Sequence, residues 1–348
     1  MQTVTLAVVV LAAALAAANG ANDVPKGIAT LAGAGVTRYR TAIAWGTIAT
    51  FVGSVASVTL AERLTKLFST GIVDIEPTPA FTVAVLAGVA AWVAMATALR
   101  LPVSTTHAIV GALVGAGLVA APGAIQWGAL GTKAALPLLA SVGVAFALSA
   151  LFNAGTRRRL QCICVKPASA LGFVGAVPLQ VTAAPTTECR VHRRGPNLLR
   201  GLHWASSGAA SFARGLNDTP KIAAIAAIAL LPAGWSVGEV ALGVGIAMAV
   251  GSLVAGRRIA HRLAEDVVRM DDDEGMRASL ALSILVGVGA NQGLPMSTTH
   301  VATGAIAGAS GGRFGRLNRG TLGGFALAWL ATPPVAAGVA AGVYLLAT

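Results

Sequence analysis

The stretch at residues 20–29, GANDVPKGIA, returns at residues 215–224 as GLNDTPKIAA. Asn22 matches Asn217, Asp23 matches Asp218, Pro25 matches Pro220 and Lys26 matches Lys221, at an offset of 195. A second element, LPVSTTHAIVGALVGAG from Leu101, returns as LPMSTTHVATGAIAGAS from Leu294, at an offset of 193. The two motifs keep their order and nearly keep their spacing, so the chain is an internal duplication. Its halves are residues 1–155 and 201–348, joined by a loop at 156–200.

Composition sets the solvent. Of the 348 residues 55% are hydrophobic and 11% are charged, against a charged share of about 25% in a soluble domain. This is the composition of an integral membrane protein. Apolar runs recur at 3–18, 42–60, 80–99, 134–151, 237–255 and 320–347, and several reach the roughly 20 residues that a spanning helix needs. Shorter runs at 108–121, 222–231 and 301–310 are expected as half-helices or re-entrant segments. Residues 3–18 lack a basic leader and run directly into the polar motif, so they are expected as a retained first helix rather than a signal peptide. The 42 glycines suit a tight bundle, since small residues let backbones approach closely in lipid.

A formal charge of +12 would suggest nucleic acid in a soluble chain, but its distribution argues otherwise. The loop at 156–200 carries Arg157, Arg158, Arg159, Lys166, Arg190, Arg193, Arg194 and Arg200 against the single acid Glu188. By the positive-inside rule that loop faces the cytoplasm, which makes the chain a multi-pass protein of the cell membrane with no nucleic-acid partner. Residues 257–277, with Asp271, Asp272, Asp273 and Glu274 in a row, are expected as a solvated loop. Cys162, Cys164 and Cys189 all fall in the basic loop. A stable disulfide is not expected there, and a C-x-C near His192 matches no strong zinc pattern, so no metal site is expected.

The motifs carry the chemistry. In LPVSTTH the proline ends whatever precedes it, and Ser104, Thr105 and Thr106 then open an apolar segment, the pattern of a helix start. Ser297, Thr298 and Thr299 repeat it. A helix N-terminus offers unpaired N–H groups and a partial positive charge of about half an elementary unit. With three hydroxyls beside them, such ends form a site for a tetrahedral oxyanion, and the duplication lets two ends grip one anion. The plainer alternative is that these residues only cap helices or bond between them. His107 and His300 lie one turn further on and are expected to support the site rather than touch the anion.

Asp23 and Asp218 are the costliest residues to place in a membrane, at about 2.5–3.5 kcal/mol each. Lys26 and Lys221 follow three positions later, on the same face if the segments are helical, so each acid can be paired. Arg214 corresponds to Asn19 by the repeat offset, which gives the second half alone an extra cation. It either helps to hold the anion or snorkels to the headgroups.

The duplicated G-x-N-D together with P-x-S-T-T-H in each half resembles the inorganic phosphate transporter family, PiT. The resemblance covers both halves and leaves out mainly the basic loop. It implies an all-α integral membrane protein of two inverted repeats with broken helices and re-entrant hairpins. It also implies that Ser104, Thr105, Thr106, Ser297, Thr298 and Thr299, with Arg214 as a further candidate, bind phosphate. Cation or proton coupling would fall on Asn22, Asp23, Lys26, Asn217, Asp218 and Lys221. Members are symporters driven by sodium or protons, with no other cofactor, and homodimers are expected. Where the family pattern continues Ala-Asn, this chain has Pro25-Lys26 and Pro220-Lys221. An ammonium has no acceptor and repels a cation, so the polar cluster is expected to break the helix at the site, with Lys26 standing in for a bound cation. Sulfate or another tetrahedral oxyanion is the alternative substrate. An intramembrane hydrolase with a Ser104 or Ser297 nucleophile, and a passive anion channel, are the other readings; enzyme activity is not expected.

Overall fold

The computed structural model describes residues 2–76, 78–156, 162–167, 179–184, 198–265, 270–310 and 317–348. The first half runs α1 (Gln2–Gly33), α2 (Tyr39–Leu60), α3 (Glu62–Lys66), α4 (Pro79–Ala98), α5 (Thr105–Ala120), α6 (Trp127–Ala129) and α7 (Leu136–Thr156). In the loop, β1 (Cys162–Pro167) and β2 (Leu179–Ala184) pair antiparallel, with Cys162 opposite Ala184. The second half runs α8 (Leu198–Leu230), α9 (Val237–Ala255), α10 (Arg257–Glu265), α11 (Asp272–Gln292), α12 (Thr298–Ala309) and α13 (Arg319–Ala347). Most of the basic loop, including Cys189 and His192, lies outside the described residues.

Among the described residues, six helical stretches are long and apolar enough to cross a membrane: α1, α2, α4, residues 127–152, α9 and α13. Their lipid-facing flanks are apolar, as Leu6, Ile48, Leu253 and Leu330 show by their exposure. That inversion of the soluble pattern is what hydrocarbon solvent requires.

The packing joins helices of the first half to helices of the second. α1 packs on α9 and α8 packs on α2, while α5 packs on α13 and α12 packs on α7. Each pairing crosses from one half to the other, and each is set by glycine. A methyl at Gly20 would lie 1.9 Å from the Met248 carbonyl oxygen, and one at Gly215 would lie 2.2 Å from that of Thr50. Likewise Gly111 and Gly115 sit against the backbone of Pro333 and Ala337, as Gly304 and Gly308 sit against Val142 and Phe146. The halves are interlocked rather than merely adjacent. α1 and α8 run antiparallel, since Asn19 meets Arg214 while Thr30, further along α1, meets His203 near the start of α8.

Three expectations need correction. The polar motifs do not break their helices: α1 passes through Pro25 and α8 through Pro220 without interruption. Proline inside a helix is tolerated in membrane bundles, where neighbouring groups can take up the freed backbone. Residues 222–231 are accordingly the end of a 33-residue helix and not a half-helix. Residues 257–277 are not simply a loop, because α10 fills 257–265 and α11 begins at Asp272. The acidic run starts α11: Asp271 and Glu274 form a capping box, placing carboxylates where the helix dipole favours them.

Candidate functional site

Residues from four helices meet at one buried cluster. α1 supplies Asn19, Asn22, Asp23 and Lys26, and α8 supplies Arg214, Asn217, Asp218 and Lys221, every one of them 3% exposed or less. α5 and α12 enter by their first residues. Ser104 is the N-cap of α5 and accepts from the His107 N–H at 3.3 Å. Ser297 caps α12 in the same way, accepting from the His300 N–H at 3.3 Å.

The two asparagines hold the chain that leads into these helices. Asn22 donates to the Leu101 carbonyl at 2.9 Å and accepts from the Val103 N–H at 3.1 Å. It also reaches the Thr97 hydroxyl at 3.0 Å. Asn217 clasps Met296, donating to its carbonyl at 3.0 Å and accepting from its N–H at 3.2 Å. Each amide thus satisfies backbone that regular structure leaves open. Val103 and Met296 are equivalent positions of the repeat.

The lysines are the centre of the arrangement. Lys26 Nζ donates to Asp23 Oδ1, to the Val103 carbonyl at 2.7 Å and to Thr299 Oγ1. Lys221 Nζ lies 3.6 Å from Asp218 Oδ1 and donates to the Met296 carbonyl at 3.2 Å and to Thr106 Oγ1 at 2.7 Å. Each ammonium is therefore surrounded by one carboxylate, one carbonyl and one hydroxyl oxygen, and the hydroxyl always comes from the opposite half. The threonines close the circuit, Thr299 donating to the Val103 carbonyl at 2.6 Å and Thr106 to the Met296 carbonyl at 3.2 Å. The spacing argument for Asp-Lys pairing holds in both halves.

Asn19 and Arg214 are where the halves differ. Asn19 donates to Asp23 Oδ2 at 2.9 Å, to Thr105 Oγ1 at 2.9 Å and to Asp218 Oδ2 at 3.5 Å. Arg214 donates through Nη1 to Asp218 Oδ2 at 3.2 Å and to Asn19 Oδ1 at 3.4 Å. Its Nε and Nη2 are buried without a partner among the described residues. An unmet buried donor costs about 1–3 kcal/mol, so this guanidinium is built for one more acceptor. It is inside the cluster and does not snorkel. Lys26, Lys221 and Arg214 outnumber Asp23 and Asp218 by one, a formal excess of one positive charge in the buried cluster.

Thr298 is buried in the first turn of α12. His107 and His300 pack on each other across the halves, with ring centroids 4.7 Å apart. His300 Nδ1 is 3.0 Å from the Leu138 carbonyl, and its ring lies 4.2 Å from that of Trp329. Both rings stand behind the helix starts, beside rather than among the carboxylates. Sequence reasoning missed Asn19, Thr97 and the carbonyls of Val103 and Met296. Asn19 was within reach, because it is the repeat equivalent of Arg214. It also missed Phe68, whose ring centroid lies 6.0 Å from Lys221 Nζ.

The chain is similar to known proteins over nearly its whole length. The profile of the Phosphate transporter family matches residues 19–340. The chain is 29% identical over 340 residues to a probable low-affinity inorganic phosphate transporter of Rhizobium meliloti (strain 1021), covering 94% of this chain and 92% of the relative. It is 29% identical over 354 residues to a protein of the same description from Mycobacterium tuberculosis (strain CDC 1551 / Oshkosh), covering 97% of this chain and 76% of that one. Among solved structures, the one described as the sodium-dependent phosphate transporter superposes with a TM-score of 0.74 at 20% identity, over 99% of both chains. That likeness establishes the fold. With a family profile spanning nearly the whole of both repeats, this multi-pass membrane protein belongs to the phosphate transporter family.

Proposed function

We propose that the chain is a secondary active symporter of inorganic phosphate, and that it is coupled to protons rather than sodium. The observation that carries the substrate is the buried cluster's single excess positive charge beside two helix N-termini and an unsatisfied guanidinium. With both carboxylates ionised, before a proton is taken up, a phosphate monoanion makes that site neutral, whereas a sulfate dianion leaves it negative. In a low-dielectric interior an uncompensated charge costs several kcal/mol, which favours phosphate. The Ser-Thr-Thr segments and Arg214 hold the anion in this reading. Family membership sets the hydrolase reading aside.

The coupling ion follows from the two lysines. A carboxylate, a carbonyl and a hydroxyl oxygen are the hard donors a metal cation seeks, and an ammonium already sits among them in each half. With that position filled from within the chain, Asp23 and Asp218 are left to carry a proton, each alternately neutral and paired with its lysine. The antiparallel course of α1 and α8, equivalent helices of the repeat, supports inverted repeats, and such repeats place a transporter's site at their shared centre. The working unit is a homodimer in the lipid bilayer.

Sulfate is the second reading, favoured by one observation: both carboxylates are engaged by donors of the chain, which leaves no free acceptor for a P–OH group. Uptake of radiolabelled phosphate by the reconstituted protein, challenged with unlabelled phosphate or sulfate, decides between them. Phosphate is expected to compete far better, and equal inhibition by the two anions overturns the phosphate assignment.

A further inference from the structure

We propose that Thr30, His203 and Asp272 form a proton path joining the ion cluster to the end of the bundle that carries the basic loop. The inference rests on the proton-coupled reading above and gives it a route. His203, near the start of α8, is fully buried, yet it is bonded at both ring nitrogens. Nδ1 meets Asp272 Oδ1 at the start of α11. Nε2 lies 3.2 Å from Thr30 Oγ1, which in turn lies 2.7 Å from Ser279 Oγ. Gly275 makes room for the ring, since a methyl there would fall 2.6 Å from its Cε1.

The outer end of this chain of groups reaches solvent, and its inner end lies on the helix that carries the cluster. Outward, the Asp272 side chain is 21% exposed, with Arg200 Nε 3.9 Å away; on the next residue Asp273 pairs with Arg277. Inward, Thr30 follows Lys26 by four residues on the same face of α1, about 6 Å along the helix axis. Lys26 is the partner of Asp23. By the positive-inside rule the outer end opens to the cytoplasm.

The repeat shows that this network is not inherited from the shared architecture. By the motif offsets, Thr30, His203, Asp272 and Ser279 correspond to Ile225, Val8, Pro79 and Leu86. None of those four side chains can pass a proton. The Asn-Asp-Pro-Lys and Ser-Thr-Thr motifs of the central cluster are duplicated whereas this polar path is not, so the two faces of the protein differ in access for protons. During uptake, a proton reaching the Thr30 hydroxyl from the cluster displaces the hydroxyl's own proton onto Nε2, and Nδ1 passes its proton to the Asp272 carboxylate, from which water removes it; rotation of the ring then restores the starting tautomer.

Two measurements on the full-length protein in proteoliposomes separate this from a merely structural pin. Net phosphate uptake driven by a proton gradient requires the proton to leave the site; exchange of labelled for unlabelled phosphate at equal pH does not. His203→Gln keeps hydrogen bonding without relaying a proton, and is expected to lower net uptake by about a hundredfold, the scale of a lost proton-transfer group, with exchange unchanged. Thr30→Val, which removes one hydroxyl at nearly constant volume, is expected to give the same split at about tenfold. Equal loss of uptake and exchange in both variants, or undiminished net uptake in either, overturns the path. Absence of exchange in the unmodified protein contradicts the transporter reading itself, and exchange without proton-driven uptake contradicts the coupling.

Discussion

The ammonium of Lys26 donates to the hydroxyl of Thr299, 273 residues away in the other half of the chain. Its repeat equivalent, Lys221, donates at 2.7 Å to Thr106, the equivalent of Thr299. Each half therefore supplies a tethered cation to the helix start of the other, and the two helix starts are held together by charges that cannot diffuse away.

Removing either threonine hydroxyl is expected to damage transport more than folding. Thr106→Val and Thr299→Val preserve volume and take from a lysine its acceptor in the opposite half, at about 1–3 kcal/mol each. The initial rate of phosphate uptake is expected to fall about tenfold or more, with an unaltered elution profile in detergent. The double substitutions Thr105→Val/Thr106→Val and Thr298→Val/Thr299→Val are expected to be more severe. Unchanged phosphate affinity in both doubles contradicts the anion assignment.

Replacing Lys26 by Asn opens the cation position. A buried carboxylate left without its partner is destabilising by about 3–5 kcal/mol, so the variant is expected to melt at a lower temperature in potassium buffer. Sodium is expected to restore part of that loss by binding Asp23, the Val103 carbonyl and Thr299, whose positions around the lysine are already set. The unmodified protein is expected to melt at the same temperature in either salt. Thermal unfolding in sodium and in potassium checks both.

Arg214→Gln removes the charge that makes the cluster net positive and the two donors that lack partners. KM for phosphate is expected to rise about tenfold or more, the effect of a lost charged hydrogen bond. Arg214→Lys keeps the charge without the planar fork and is expected to fall between the two. A KM unchanged in Arg214→Gln places the guanidinium outside the anion site.

Gly20→Ala tests the interlocking of the halves. Its methyl would lie 1.9 Å from the Met248 carbonyl oxygen, and forcing α1 and α9 apart is expected to cost at least about 1–3 kcal/mol. Gly323→Ala, in α13, meets nothing within 4 Å and is expected to leave the melting temperature unchanged or slightly raised.

The sequence was most legible where one local pattern had one physical meaning. Ser104 and Ser297 were readable as helix starts from the preceding proline and the following apolar run, and each Asp-Lys pair from its three-residue spacing. The same local logic failed at Pro25 and Pro220. Whether a proline breaks a membrane helix depends on its tertiary surroundings, and at these motifs the partners of Asn22, Lys26, Asn217 and Lys221 include groups far away in the sequence. Asn19 escaped for a similar reason, since its partners Thr105 and Asp218 are 86 and 199 residues away. The buried His203 had no motif around it at all. Only the fold places it against Thr30, a contact spanning 173 residues.

If Lys26 and Lys221 occupy the positions where a transported cation would bind, protons drive uptake without sodium. The direct measurement is the initial rate of labelled phosphate uptake into proteoliposomes of the unmodified protein, with a proton gradient and a sodium gradient imposed separately and potassium as the balancing ion. The account predicts concentrative uptake under the inward proton gradient with sodium absent, and no stimulation by the sodium gradient at constant pH. Uptake that requires sodium at constant pH, and that a proton gradient alone does not drive, would contradict it.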